Sequence, residues 1–526
     1  MTAPEVPDVR LAELVASLSL ATDLGLGQPQ EHVLRQTVIA DRLSRLAGMT
    51  EDDRAALFYV SLLAWVGCIA DSHELSHWFG DDRQLRADSY QVDKIGLPMM
   101  RMMLGHVASG SGPVRRVTML GRFMTSGFRE AMGTYLTHCQ TTGDIADRLA
   151  LDDRVRRALP QAFERWDGKG FPGEVDGPGI EAVMRIVQIA DDTEVFARTG
   201  GVSAVTEMLR ARRGTEFDPD LVDLCIAHAT EIFSDLDAVD AWDLVIDGCT
   251  TLDRRIDELD LQLILETFAD YADLKSPWHL GHSRATAALA GRAAEILGLP
   301  PADVRVVERA GLVHRLGSIG VSTAIWNKTG PLSAAEWERV RTVPYLTERV
   351  LCRQPRLAEI GTVAAMCHER MDGSGYPRGL PGAAIGPPGR VLAAADVYQG
   401  LAEARPDRAA LPPAEREVAL CAEAEAGRLD AAAVRAVLAA AGHAVRRKPT
   451  LAAGLTAREA EVLALLVRGW SNKQIAAHLS ITSRTAANHI EHIFTKTGVS
   501  TRGAAAMFAL RHGLVDATSA DPVGAD

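Results

Sequence analysis

The apolar positions of this chain recur mostly at helical spacing. Ile39, Leu43 and Leu46 follow an i, i+4, i+7 pattern, and Leu289, Ala293 and Ile296 repeat it 250 positions later, which predicts two helices, each with one buried face. Val462, Leu465 and Leu466 fall on one face of a further helix, and Ile475 and Leu479 on one face of a short one. Alternation at period two is scarce and helix formers dominate, so an all-α fold is expected. The longest uncharged apolar stretch, FYVSLLAWVGCIA at 58–70, predicts a buried helix and is too short to cross a bilayer.

Spacings reveal a repeat. His32 and His282 each precede one glycine by 16 residues (Gly48, Gly298) and another by 35 (Gly67, Gly317). Trp166-Asp167-Gly168-Lys169-Gly170-Phe171-Pro172 is echoed by Met371-Asp372-Gly373-Ser374-Gly375-Tyr376-Pro377, and the next shared aspartates, Asp191 and Asp396, follow after 24 residues in both copies. Two helical domains of one kind are therefore expected in tandem, at 1–245 and 250–445.

Local capping signals organise the C-terminal end. Thr456 to Glu459 reads T-x-x-E and Ser471 to Gln474 reads S-x-x-Q, each able to cap a helix reciprocally, while Gly469 can end the first helix in a left-handed conformation. A turn at 480–482 precedes helices over 483–497 and 501–512, the plan of a helix-turn-helix. The expected boundaries are a linker at 446–453, this module at 454–515 and a tail at 516–526.

Charge supports that division. The chain carries a formal -13, yet from Leu451 to Val515 seven basic residues face three acidic ones, so a +4 module is joined to a -17 body. Such asymmetry is expected where one end meets nucleic acid. Seven scattered cysteines without a C-x-x-C, and an N-terminus (MTAPEVPDVR) without a signal-peptide pattern, point to a cytoplasmic, reducing location.

The run LTAREAEVLALLVRGWSNKQIAAHLSITSRTAANHIEHIFTKTGVSTR, 455–502, resembles the LuxR-type helix-turn-helix. The resemblance implies binding of double-stranded DNA as a homodimer, with Ser483, Arg484, Thr485, Ala487, Asn488 and Glu491 on the reading helix and Lys473 and Lys496 near phosphates. Two positions depart from the family, Ala486 in place of Val and the acidic Glu491 in place of a basic residue, both implying weaker backbone binding or another base preference.

The second copy resembles the HD-GYP phosphohydrolases, on KSPWHLGHSR at 275, HERMDGSGYPRGLPG at 368–382 and AADVYQGL at 394–401. Members hydrolyse cyclic di-GMP at a two- or three-metal centre. Of the implied ligands, His282, His314, His368 and Asp396 remain. The H-D-x-G-K pattern has become His314-Arg315-Leu316-Gly317-Ser318, Val343 precedes Pro344 where a ligand His is usual, and Cys367 precedes His368 where two histidines are usual. A cation in place of the bridging carboxylate opposes a metal cluster. Hydrolysis and a cofactor are therefore not expected, a single weak divalent metal staying open, and Arg315 is expected either to pair with Asp396 or to grip a phosphate.

In the first copy His32, His138 and Asp191 stand at ligand-equivalent positions, but Ala64-Trp65 and Ala162-Phe163 replace His-Asp and His-His. The apolar run at 58–70 is expected to fill that site with core, and His73 and His77 to lie in a following loop. The favoured function is a DNA-binding transcriptional regulator whose HD-type body senses a nucleotide or other small molecule, or dimerises, without hydrolysis. The alternative is a metal-dependent phosphohydrolase acting on cyclic dinucleotides and coupled to DNA binding.

Overall fold

The structure, a computed structural model, describes residues 9–110, 112–236, 238, 240–248, 254–442, 453 and 455–515. Most of the expected linker, including Arg446, Arg447 and Lys448, and the tail 516–526 lie outside the described residues. The fold is all-α apart from one antiparallel pair, Val9–Arg10 against Arg255–Ile256, the only sheet among the described residues. Two compact units divide at Asp257 and Glu258. No single described helix is long and apolar enough to cross a membrane, and the six described cysteines are free.

In the first unit, helices Leu11–Leu26, His32–Leu46, Glu51–Leu63 and Ala182–Arg212 pack on one another. Their core includes Leu14, Leu18, Ile39, Leu43, Val60 and Val187. The stretch 58–70 is not one helix, contrary to expectation. The helix ends at Leu63, Trp65 leaves helical geometry, and Val66–Ile69 forms a 3-10 turn. Gly67 requires this: a Cβ there would lie 2.2 Å from the His138 carbonyl oxygen, and its amide donates to Thr142 Oγ1 at 3.1 Å.

Between Gly67 and His138 the chain inserts helices Ser72–Phe79, Asp82–Ser89, Gly96–His106 and Pro113–Arg122. They build a small core of their own from Leu75, Trp78, Phe79, Met103, Met119 and Phe123. His73 and His77 lie on the first of these helices, not in a loop.

In the second unit, helices His282–Leu297 and Pro301–Val313 cross closely because Gly311 meets the backbone of Ala287, where a Cβ would come within 2.6 Å of the Ala287 Cα. Leu289 and Ala293 are buried as the pattern predicts, but Ile296 is 50% exposed at the helix end. Gly317 repeats the role of Gly67, with its amide on Thr347 Oγ1 at 2.9 Å and the Val343 carbonyl 2.0 Å from where a Cβ would stand. Glu164 and Glu369 likewise accept backbone amides of the glycine-rich loops that follow them.

Helices Ala457–Val467, Asn472–His478, Ser483–Thr497 and Arg502–Arg511 follow. Both reciprocal caps form as the sequence predicts, at Thr456 with Glu459 and at Ser471 with Gln474. Gly469 takes φ +83°, the left-handed stop.

Candidate functional site

The second unit brings together all four residues expected to hold a metal. His282 opens its helix, His314 follows the end of Pro301–Val313, and Asp396 lies on Pro387–Leu401. Asp396 Oδ1 is 3.1 Å from His282 Nε2 and 3.2 Å from His314 Nε2, and Oδ2 is 3.8 Å from His368 Nδ1. The outer nitrogens are fixed as well: His282 Nδ1 donates to Glu403 at 2.8 Å and His314 Nδ1 to the Gly311 carbonyl at 2.7 Å.

These contacts set the protonation. Burial disfavours a charged His282, but Glu403 and Asp396 outweigh it and raise its pKa to about 9. Burial lowers His314 and carries His368 down to about 4. Burial would raise Asp396, yet the His282 hydrogen bond and the neighbouring histidines hold it well below the usual carboxylate range.

With the Nδ1 proton of His314 on the Gly311 carbonyl, its Nε2 lone pair faces a carboxylate oxygen. A cation between them removes that opposition, so His282, His314 and Asp396, whose ligand atoms lie within 4.8 Å of one another, fit one divalent ion. Cys367, His368 and Asp396 form a second such group. There the thiol is pushed well above its ordinary range by burial and by Asp396, which opposes thiolate ligation.

Arg315 does not pair with Asp396. Its Nε is buried without a hydrogen-bond partner, the nearest carboxylate being Asp273 at 4.0 Å, and the guanidinium lies over the Trp326 ring at 5.4 Å. Asp273 is already engaged by the Ser283 amide and hydroxyl at 2.8 and 2.7 Å. Arg315 instead lines a cavity of about 250 Å³ with His368, Tyr376, Asp396, Arg405 and Arg408. Arg405 is held by His279 and, at 3.5 Å, by Glu403. Three guanidiniums, the His368–Tyr376 stack at 5.0 Å and Trp326 make this cavity complementary to an anion with planar rings. Glu403, Arg405 and Asp273 escaped the sequence reading; the first two lie just beyond AADVYQGL, where charge without a ligand motif was the only signal.

The first unit's counterpart is built differently. His32 sits between Glu194 at 2.6 Å and Asp191 at 3.1 Å, and Tyr90 donates its hydroxyl to Asp191 at 3.1 Å. His138 bonds the Ala64 carbonyl at 2.7 Å and meets Cys68 Sγ at 3.3 Å, so both its nitrogens are taken up away from Asp191. Lys94, absent from the sequence reading, stands 3.1 Å from Asp192 and 6.0 Å from the Trp65 ring centroid. The core has not filled this place, contrary to expectation. A cavity of about 110 Å³ remains, because the break at Trp65 turns the apolar run aside.

On the reading helix Ser483, Arg484, Asn488 and Glu491 are exposed, as are His492 and Thr495, which the sequence reading did not name. Thr485 and Ala487 are half-buried, and the Thr485 hydroxyl bonds Thr482 at 2.8 Å. Lys473 is exposed. Lys496 is tied to Glu459 at 2.7 Å, an intramolecular role that competes with a phosphate contact.

Residues 266–433 match the HD domain family, and residues 453–509 match the luxR family of bacterial regulatory proteins. Among curated proteins, the chain is 29% identical over 406 residues to the 3'3'-cGAMP-specific phosphodiesterase 3 of Vibrio cholerae, covering 76% of this chain and 88% of that one. It is 46% identical over 61 residues to the transcriptional regulatory protein MctR of Rhizobium johnstonii, covering 12% of this chain and 28% of that one. Among solved structures, a crystal structure of a cyclic GMP-AMP specific phosphodiesterase of V. cholerae is similar with a TM-score of 0.58 and 26% identity, over 84% of this chain and 99% of that one. Motifs, site geometry and relatives agree on two domains: the chain contains an HD domain at residues 266–433 and carries a C-terminal domain of the luxR family of bacterial regulators.

Proposed function

We propose that this protein is a cytoplasmic, DNA-binding transcriptional regulator whose second unit recognises a cyclic dinucleotide without hydrolysing it. The observation that carries this reading is Arg315. It stands where the resembling family has a bridging carboxylate, its Nε is buried without a partner, and its side chain lines a cavity that also contains Asp396, Arg405 and Arg408. A guanidinium there repels a second metal ion and attracts a phosphate. The ring-lined wall suits a nucleobase, and the V. cholerae relatives carry the names of cyclic-dinucleotide phosphodiesterases. The exposed Arg484 and Asn488 supply the DNA-reading face, and a homodimer matches the paired half-sites such helices read.

The test pairs calorimetry of 3'3'-cGAMP and cyclic di-GMP with gel shifts on the DNA upstream of the protein's own gene. Binding of one dinucleotide, lost in Arg315→Ala, with no turnover in manganese or iron, is expected. Equal DNA binding by a chain ending at residue 450 sinks the regulator reading. The second reading, a metal-dependent phosphodiesterase, is favoured by the His314 lone pair facing Asp396. Turnover abolished by His314→Ala would establish it instead.

A further inference from the structure

The cavity of the first unit has two unlike walls. The inserted helices supply Leu75, Leu85, Met99, Met102 and Met103, whereas the packed helices and loops behind them present Trp65, Tyr90, Tyr135, His138 and Asp191. In the repeat, His138 corresponds to Val343; Gly67 and His138 are 71 positions apart, whereas Gly317 and Val343 are only 26 apart. The apolar wall is thus an addition peculiar to the first unit.

Most polar groups at the other wall are already satisfied. Arg86 pairs with Asp71 at 2.5 Å and Asp82 at 3.0 Å, Tyr90 donates to Asp191, and the Thr134 hydroxyl donates to the Ala131 carbonyl at 2.6 Å. Two donors keep capacity. The Tyr135 hydroxyl has no partner among the described residues, and burial pushes its pKa up to about 12, so it keeps its proton. Its ring is fixed by Phe171, stacked at 5.4 Å, and by Phe163, edge-on at 4.5 Å. Lys94 has three ammonium donors, of which Asp192 takes one at 3.1 Å, while Glu216 at 3.9 Å is an ion-pair neighbour beyond hydrogen-bond reach.

We propose that this cavity is a binding site for a small uncharged aromatic molecule carrying one hydrogen-bond-accepting oxygen. A space of about 110 Å³ leaves room for no more than a single ring, being smaller than the apolar cavity of about 150 Å³ that holds benzene. Methionine sulfurs and aromatic edges favour a planar ring over a saturated one. The spare donors ask for an acceptor, but not for an anion. Lys94 is already neutralised by Asp192 and Glu216, and a carboxylate would face Asp191 and the Asp71 side of the wall. This site is separate from the dinucleotide cavity and does not depend on that reading.

Phenol is the probe, titrated calorimetrically into the full chain beside benzoate and cyclohexanol. Saturable binding of phenol with Kd of about 1 mM or tighter is expected, with both comparators about tenfold weaker. Ala131→Phe, which fills the cavity from its apolar side, is expected to abolish binding. Tyr135→Phe, which removes only the partnerless hydroxyl, is expected to weaken it about fivefold with an unchanged circular dichroism spectrum. Should Ala131→Phe fail to fold, Tyr135→Phe still decides. Non-saturating phenol heats, benzoate binding as tightly as phenol, or wild-type affinity in Tyr135→Phe would each overturn the proposal.

Discussion

His32 is wedged, fully buried, between Glu194 and Asp191, and the consequence is a pH dependence of the first unit. Burial alone would strip its proton, but the two carboxylates raise its pKa from 6.5 to about 10. The stabilisation this adds is complete below about pH 6.5, where an unfolded histidine is also charged, and is lost as pH climbs toward 10. Asp23, raised by burial to about 7, acts in the same direction, since ionising it in place is unfavourable. Glu194, lowered to about 2 despite burial, acts oppositely and only at acid pH, between 4.5 and 2. Hydrogen exchange of helix His32–Leu46 should therefore quicken steadily from pH 7 to 10 beyond the intrinsic rate. In His32→Gln the rise should flatten and the unit should lose about 3 kcal/mol at pH 6, the usual cost of leaving buried charge unpaired. The sequence showed His32 and Asp191 because the repeat aligned them with ligands. It hid Glu194, Tyr90 and Lys94, which have no counterpart in a ligand motif and reach the site only through tertiary packing.

Helix ends and close approaches carry the next level. Gly298 and Gly317 were found by the same spacing argument, yet they answer to different physics. Gly317 has no room for a Cβ, with the Val343 carbonyl 2.0 Å away, whereas Gly298 meets nothing within 4 Å but holds φ at +79°. Gly317→Ala is expected to cost about 3 kcal/mol through a forced shift of helix Val343–Leu351, and Gly298→Ala about 1 kcal/mol through left-handed strain alone. Urea midpoints of the two variants measure the difference, and equal losses would refute the distinction. The C-terminal helices were legible almost to the residue, because Thr456, Ser471 and Gly469 are local signals that act on their own neighbours. Thr456→Ala should lower the stability of that module by about 1 kcal/mol. The stretch 58–70 misled for the complementary reason. Its composition is helical, but the approach of Gly67 to His138, 71 positions away, dictates a 3-10 turn. The inserted helices were likewise invisible to spacing, which aligns what two copies share and passes over what one copy adds.

For the molecule as a whole, the proposed regulation is a statement about coupling free energy. A dinucleotide that binds the second unit equally well in DNA-free and DNA-bound protein shifts nothing, however tightly it binds. If it does regulate, linkage requires that the factor by which it changes the DNA Kd equal the factor by which DNA changes its own, and such factors are commonly about 5- to 150-fold. Both can be measured on the full chain at one salt concentration, which must be fixed because phosphate contacts make DNA affinity salt-dependent. The two sites can then be broken separately. Arg484→Ala removes an exposed side chain of the reading helix and should weaken DNA binding at least tenfold while leaving dinucleotide affinity in the absence of DNA unchanged. Lys473→Ala, at an exposed position away from the bases, should instead reduce the slope of log affinity against log salt by about 1. Arg315→Ala should abolish dinucleotide binding, leave DNA affinity in the absence of dinucleotide as it was, and remove the response. Dinucleotide binding with a factor of one in both directions would leave the second unit a nucleotide-binding body without control over DNA, and the regulatory reading would fall even though both binding sites stood.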